Sequence, residues 1–161
     1  MMRYCPKCKS KLTRKLFDGV KRLACSSEKC SFVFWNNPVP VVAALVKHND
    51  KYIIARNRLW PEGIFSVITG YLEMNETPEQ AVLRETQEEL GLSGEIQAYI
   101  GHYTFVEKNQ LILCFEINAT GELKLNDELV EMKYLSQQEL QEYDFQPLYI
   151  TENIIKDWAE V

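Results

Sequence analysis

The 161-residue sequence predicts an α/β fold, a main domain of strands and helices behind a small N-terminal ribbon. Three observations carry this reading. Apolar runs of strand length recur around two stretches of helical period, residues 78–90 and the neighbourhood of Pro147–Trp158. Ahead of them stand two cysteine pairs, Cys5-Pro-Lys-Cys8 and Cys25-Ser-Ser-Glu-Lys-Cys30, sixteen residues apart. Between the two regions, Asn36-Asn37-Pro38 is a turn-rich boundary, which divides the chain into 1–37 and 38–161. There is no internal repeat and no low-complexity segment.

In the N-terminal region, two pairs of thiols at this spacing suit a closed, tetrahedral and therefore structural Zn²⁺ site made by Cys5, Cys8, Cys25 and Cys30. A ribbon of about 35 residues cannot build a core by itself, which gives the metal a folding role. Disulfides or reactive thiols are the competing readings. No signal-peptide pattern precedes the cysteines and no apolar run is long enough to span a membrane, so a reducing, cytoplasmic setting is expected. Cys114, inside an apolar run, reads as a core thiol, and His48 and His102 are not needed as ligands.

In the main domain, Val39 to Val46 is nearly unbroken apolar sequence and reads as a buried strand. Further strands are expected at Lys51–Ala55, Phe65–Ile68, Ile96–Ile100, Leu111–Ile117 and Met132–Leu135. A last helix is expected near Pro147–Trp158, with Ile150, Ile154 and Trp158 on one stripe. The helix over 78–90 has explicit ends. Thr77 is a good N-cap, Pro78 suits the first helical position, and Gln80 completes a Thr-x-x-Gln capping box. Gly91 can end the helix in the left-handed conformation. At about 100° per residue, Val82, Leu83, Thr86 and Leu90 share a core-facing side. Glu85, Glu88 and Glu89, at i, i+3 and i+4, share another, with the small Ala81 beside them leaving room for something to approach. Three clustered carboxylates repel one another unless a cation joins them, and hard oxygen ligands suit Mg²⁺ or Mn²⁺.

The order Gly70, five residues, Glu76, seven residues, Arg84-Glu85, then Glu88-Glu89, one residue, Gly91 and Leu92 resembles the Nudix box, Gly-x5-Glu-x7-Arg-Glu-U-x-Glu-Glu-x-Gly-U with U aliphatic. Thr86 departs at the first U, a core position without chemistry. The resemblance implies a Nudix α/β/α sandwich with a mixed sheet, the architecture that the mixture of elements also suggests. It further implies metal-dependent hydrolysis of a nucleoside diphosphate linked to another group X. By matching position, Glu85, Glu88 and Glu89 would hold the metal with the Gly70 carbonyl, Arg84 would orient the carboxylates, and Glu76 would support the loop or bind metal through water. Glu85 or Glu89 would act as general base. Of Glu128 and Glu131, which lie where many such proteins keep an extra glutamate before a strand, Glu128 is the chosen metal ligand.

The same resemblance bears on X. A zinc ribbon ahead of a Nudix domain is similar to the NADH pyrophosphatases, as is Ser66-Val-Ile-Thr-Gly70-Tyr-Leu-Glu73. Their Ser-Gln-Pro-Trp-Pro-Phe-Pro signature is replaced here by Gly101-His-Tyr-Thr-Phe-Val-Glu107, which weighs against NADH and sets ADP-ribose and FAD pyrophosphatases beside it as models. The expected substrate is a dinucleotide or a nucleotide-sugar diphosphate. The chain also lacks the Pro-Gly-Gly entry common in nucleotide-triphosphate cleaners. Arg56 and Arg58 could fork onto a phosphate or simply lie on the surface. Tyr71, Tyr103 and Phe105 could stack on a base, although such aromatics more often belong to a core.

Charge is divided unevenly. Residues 1–30 hold nine Lys or Arg against two acidic residues, a balance of +7, and residues 31–161 carry −12, for a net −5. A basic ribbon could bind nucleic acid; the blander reading is that it offsets the zinc–thiolate centre or docks on acidic surface. The acidic remainder argues against a general duplex binder. The alternative functions are a nucleotide-sensing regulator, which would commonly lose the box carboxylates, and an RNA 5′-end pyrophosphohydrolase using the ribbon. A homodimer is compatible with the sequence, and no membrane partner is expected.

Overall fold

The computed structural model describes residues 2–160 and resolves the chain into two compact units, Met1–Asn37 and Pro38–Val161. In the first, strands β1 (Leu12–Phe17), β2 (Val20–Cys25) and β3 (Val33–Phe34) form an antiparallel sheet in that order. Asp18 and Gly19 turn the β1–β2 hairpin with φ of 47° and 82°, the left-handed pair that a two-residue loop requires. The buried apolar residues of this unit are Cys5, Ala24 and Cys25, far too few for a core.

The second unit is built on a six-stranded mixed sheet. Its strands are β4 (Val39–His48), β5 (Lys51–Asn57), β6 (Ile68–Tyr71), β7 (Ser93–Phe105), β8 (Gln110–Thr120) and β9 (Leu129–Leu135). The order is β7-β8-β4-β5-β9, with β6 paired to β4 beside β5. The β4–β8 ladder is parallel and the others are antiparallel.

Strand β4 shows why its sequence has no polar alternation. Val41, Ala43 and Leu45 face one core, with Leu140, Ile150, Ile154 and Trp158. Val42, Ala44 and Val46 face a second, with Ala81, Val82 and Leu90. The first core is closed by α2 (Gln137–Glu142) and α3 (Tyr149–Ala159), the second by α1 (Pro78–Leu90). Helices on both faces make the α/β/α sandwich.

The caps of α1 form as the sequence requires. Gln80 N–H donates to Thr77 Oγ1 at 3.3 Å, and Thr77 N–H to Gln80 Oε1 at 2.8 Å. Gly91 takes φ 70° and its N–H donates to Gln87 O. Thr86 is fully buried, and its hydroxyl donates to Val82 O at 2.8 Å, which satisfies the one polar atom at an aliphatic position.

Several expectations need correction. Ala81 is fully buried in the second core and leaves no approach beside the carboxylates. The strand expected at Phe65–Ile68 starts at Ile68, because Ile68–Tyr71 is the stretch that pairs with Ala44–Val41. Phe65 and Val67 are apolar because they fill the first core, and Ser66 only bridges to Ala55. Helix α2 was not expected, although Ser136 and Glu139 form a reciprocal capping box.

Candidate functional site

Arg84 is the hub of the acidic face. Its Nε and Nη2 reach both oxygens of Glu76 at 3.1 and 2.8 Å, a bidentate pair. Its Nη1 donates to Glu85 Oε1 at 2.8 Å and Glu88 Oε2 at 3.0 Å, and Nη2 also donates to Tyr71 O at 3.0 Å. One guanidinium thus ties the loop after β6 to the middle of α1. Glu76 accepts a further bond from Glu73 N–H at 2.6 Å; Arg84 and this amide hold its carboxyl below the usual carboxylate range. Glu76 therefore works as a loop clamp in this geometry.

Glu89 has the opposite environment. It is 5% exposed, and no hydrogen bond from the described residues reaches its carboxylate. Burial, with Glu85, Glu128 and Glu88 repelling a further charge, pushes its pKa up to about 8. Burial also raises Glu85, against the pull of Arg84, with Glu88 and Glu128 adding to it. Holding a poorly hydrated carboxylate beside other carboxylates is costly, and a cation would offset that cost. The donor set is all oxygen and suits Mg²⁺ or Mn²⁺. The carboxylates are not gathered into a closed cluster, however, because Arg84 draws Glu85 and Glu88 toward itself. Among the described residues, the metal-sized cluster is that of the cysteines.

Gly70 faces Glu85 closely enough that a Cβ there would stand 1.9 Å from its Cδ and 2.0 Å from its Oε1. A side chain at 70 would expel the carboxylate from its place. Gly70→Ala is therefore expected to fold, since the flexible glutamate yields, and to lower metal-dependent kcat/KM by roughly 10²-fold, of the order seen when reacting groups are misplaced by about an ångström. A variant with unchanged kcat/KM would separate Gly70 from the site.

Asn126 was missed by sequence reasoning. Its Oδ1 accepts from Glu128 N–H at 2.9 Å and Leu129 N–H at 3.3 Å, and its own N–H donates to Glu89 O at 3.1 Å. This turn brings Glu128 to the acidic face, where its charge acts on Glu85 and Glu89. The Asn-x-Glu turn signal was available in the sequence; its docking on α1 was not. Arg56 is engaged by Glu131 at 3.1 Å and Trp60 O at 3.4 Å, whereas Arg58 has an exposed side chain and donates its backbone N–H to Glu128 O. Tyr103 and Phe105 pack against the first core, and Tyr103 donates to Asp157. Tyr71 is 60% exposed beside Arg84, which leaves its ring open to a ligand.

In the first unit, the Sγ atoms of Cys5, Cys8, Cys25 and Cys30 all lie within 4.8 Å of one another. Cys5 and Cys30 are 3.7 Å apart and Cys8 and Cys25 3.4 Å, close to the ~3.8 Å edge of a tetrahedron with 2.3 Å bonds and too long for a disulfide. Burial pushes Cys25 up to about 12, whereas hydrogen bonds from Ser10 bring Cys8 down to about 6. Four thiolates gathered here would need a cation to join them. His48 binds Tyr134 and Gly121 O, His102 lies near Tyr99, and Cys114 is fully buried with its thiol pushed up by burial, so none of them serves either site.

Comparison with known proteins adds the family. The NUDIX domain pattern matches residues 37–153. The chain is 30% identical over 123 residues to mouse "NAD(P)H pyrophosphatase NUDT13, mitochondrial", covering 75% of this chain and 34% of that protein. It is 27% identical over 141 residues to "NAD-capped RNA hydrolase NudC" of Vibrio vulnificus, covering 86% and 52%. The chain thus spans about a third to a half of the length of these curated relatives. A crystal structure of a NUDIX hydrolase from Nitrosomonas europaea superposes with a TM-score of 0.82 at 22% identity, over 99% of this chain and 91% of that one. With the pattern covering most of the chain and the Gly70–Leu92 box folded as loop and helix, the chain belongs to the NUDIX domain family.

Proposed function

We propose that the 38–161 domain hydrolyses the diphosphate bond of a nucleoside diphosphate linked to X, with a dinucleotide as X-bearing substrate. The observation that carries this is the buried Glu89 beside Glu85 and Glu88 on α1, with Glu128 of the turn before β9 close enough to act on it. Glu85, Glu88, Glu89, Glu128 and the Gly70 carbonyl would hold Mg²⁺ or Mn²⁺, which when bound neutralises the diphosphate and acidifies the attacking water. Arg84 keeps Glu85 and Glu88 on the acidic face beside Glu76, from which the two carboxylates would turn to the metal when it binds. Glu89 serves as the proton acceptor, because, unlike Glu85 and Glu88, it is not paired with Arg84. Arg58 supplies a phosphate contact, Arg56 being committed to Glu131, and the exposed ring of Tyr71 stacks on a base. Cys5, Cys8, Cys25 and Cys30 hold a structural Zn²⁺.

The dinucleotide class draws support from the relatives named as NAD(P)H pyrophosphatases and NAD-capped RNA hydrolases. Their presence among the matches tempers the weight placed on the missing proline-rich signature. In this chain Gly101–Phe105 is strand, paired with Cys114–Gln110 of β8, so any specificity it confers comes from a sheet edge and not from a loop. Among the described residues no helix is long and apolar enough to cross a membrane.

The test is a Mg²⁺-dependent screen of NADH, NAD, ADP-ribose, FAD, dinucleoside polyphosphates, dNTPs, and NAD-capped and 5′-triphosphate RNA. Cleavage of a dinucleotide to two mononucleotides, AMP among them, is expected. Nucleotide binding with no turnover of any member would replace the enzyme by a nucleotide sensor.

A further inference from the structure

We infer that one face of the β1–β2–β3 sheet is a platform for single-stranded RNA, a reading that goes beyond the proposed dinucleotide hydrolysis. Cross-strand partners in an antiparallel ladder point to the same face. Lys15 stands opposite Arg22, and Phe17 opposite Val20. Because Leu23 stands opposite Phe34, the next residue, Trp35, falls beside Arg22. The contacts agree: the Arg22 guanidinium lies 4.9 Å from the centre of the Trp35 ring, and Phe17 packs at 6.1 Å from it. Lys15, Arg22 and Trp35 therefore make one row across the sheet, with Phe17 and Val20 next to it.

This row is poorly suited to solvent alone. Lys15 Nζ donates to Cys25 O at 2.6 Å and Arg22 Nη1 to Trp35 O at 2.5 Å, which fixes both cations in the row; neutral carbonyls leave their charges opposed, and an anion beside them would remove the repulsion. Trp35 is 47% exposed and Val20 51% exposed. The only acidic residues in 1–30 are Asp18 and Glu28, against nine Lys or Arg. A Zn²⁺ bound by four thiolates carries a net charge of −2, which leaves most of the +7 balance unanswered.

Cations for backbone phosphates, interleaved with an open aromatic face, are the parts of a sequence-tolerant single-strand site. Base stacking on Trp35, backed by Arg22, favours unpaired bases over a duplex, whose bases are hidden. Residues 31–161 carry −12 and so offer a long duplex no further attraction.

The experiment uses the full-length, zinc-loaded protein and a 3′-labelled single-stranded RNA of about a dozen nucleotides, followed by fluorescence anisotropy from 50 to 200 mM salt. Single strands are expected to bind more tightly than the duplex of the same sequence. Engagement of about three phosphates would give a log–log salt slope near −2, at about 0.7 per phosphate. Trp35→Ala should weaken binding about five- to hundredfold, and Trp35→Phe should keep most of it. Lys15→Gln should flatten the slope by about 0.7. Each variant is compared at equal zinc content, and none should alter turnover of a free dinucleotide; where Trp35→Ala loses zinc, Lys15→Gln carries the test. Equal binding by the zinc-loaded Trp35→Ala protein, or a preference for duplex, overturns the platform. So does self-association through Trp35 without RNA binding. Absent dinucleotide turnover with intact ribbon binding would strike the proposed reaction and not the platform.

Discussion

Glu89→Gln is expected to lower metal-dependent turnover by about 10²–10⁴-fold, the range for loss of a positioned acid–base group, while making the magnesium-free protein more stable. The two effects have one cause. Glu89 is buried on the inner edge of the acidic face, without a hydrogen-bond donor from the described residues and with Glu85, Glu128 and Glu88 close enough to repel its charge. Its folded pKa, about 8, lies above the ordinary carboxylate value of 4.5. A carboxyl raised in this way prefers its protonated form in the fold, so it destabilises the native state progressively as pH rises from about 4.5 to about 8, and fully above that. At one pKa unit per 1.36 kcal/mol the effect is on the order of a few kcal/mol. Glutamine has the same shape and no charge to bury. In magnesium-free buffer, the thermal unfolding curves of the two proteins should coincide near pH 5 and diverge by pH 8, with the variant the more stable. Added Mg²⁺ should narrow the gap by stabilising only the parent. A variant that loses activity and stability together would show Glu89 to be structural, and one that retains turnover would remove it from the reaction.

The same acidic face shows how far the sequence could be read. The helix, its caps and the order of charges on it were all local properties, set by spacing and by Thr77, Gln80 and Gly91. The doubly buried β4 was legible for a similar reason, since a strand covered on both faces cannot alternate. What lay beyond reach depended on register and docking. Arg56 is spent on Glu131 because β5 and β9 place them opposite each other, 75 residues apart in the chain. Ala81 is small because the sheet packs against it, a fact that helical periodicity cannot distinguish from an open approach. The strand near residue 68 was placed three residues early because Phe65 and Val67 are apolar for the core, and pairing with β4 alone decides where the ladder begins. Asn126 carries a turn signal, but its reach to Glu89 O is tertiary.

Removal of zinc is expected to unfold residues 1–37 and leave the larger unit folded. Cys5, Ala24 and Cys25 are the buried apolar residues of the first unit, and two of the three are themselves proposed ligands. Such a unit has almost no hydrophobic contribution to set against the entropy of ordering its chain, so the metal must supply the difference, and structural zinc in comparable small modules contributes about 10–16 kcal/mol. Cys25→Ser removes the ligand that is most deeply buried in the cluster, at 1% exposure. It should abolish stoichiometric zinc and collapse hydrogen-exchange protection across Leu12–Phe17 and Val20–Cys25. Protection in Val39–His48 and Pro78–Leu90 should hold, because those elements pack within the two cores of the larger unit. Free-dinucleotide turnover should then survive within a few-fold, and single-strand binding should be lost with the platform. Retained protection in the ribbon without zinc would mean that the cysteines hold it by another bond. Loss of protection throughout the chain would show instead that the two units fold as one.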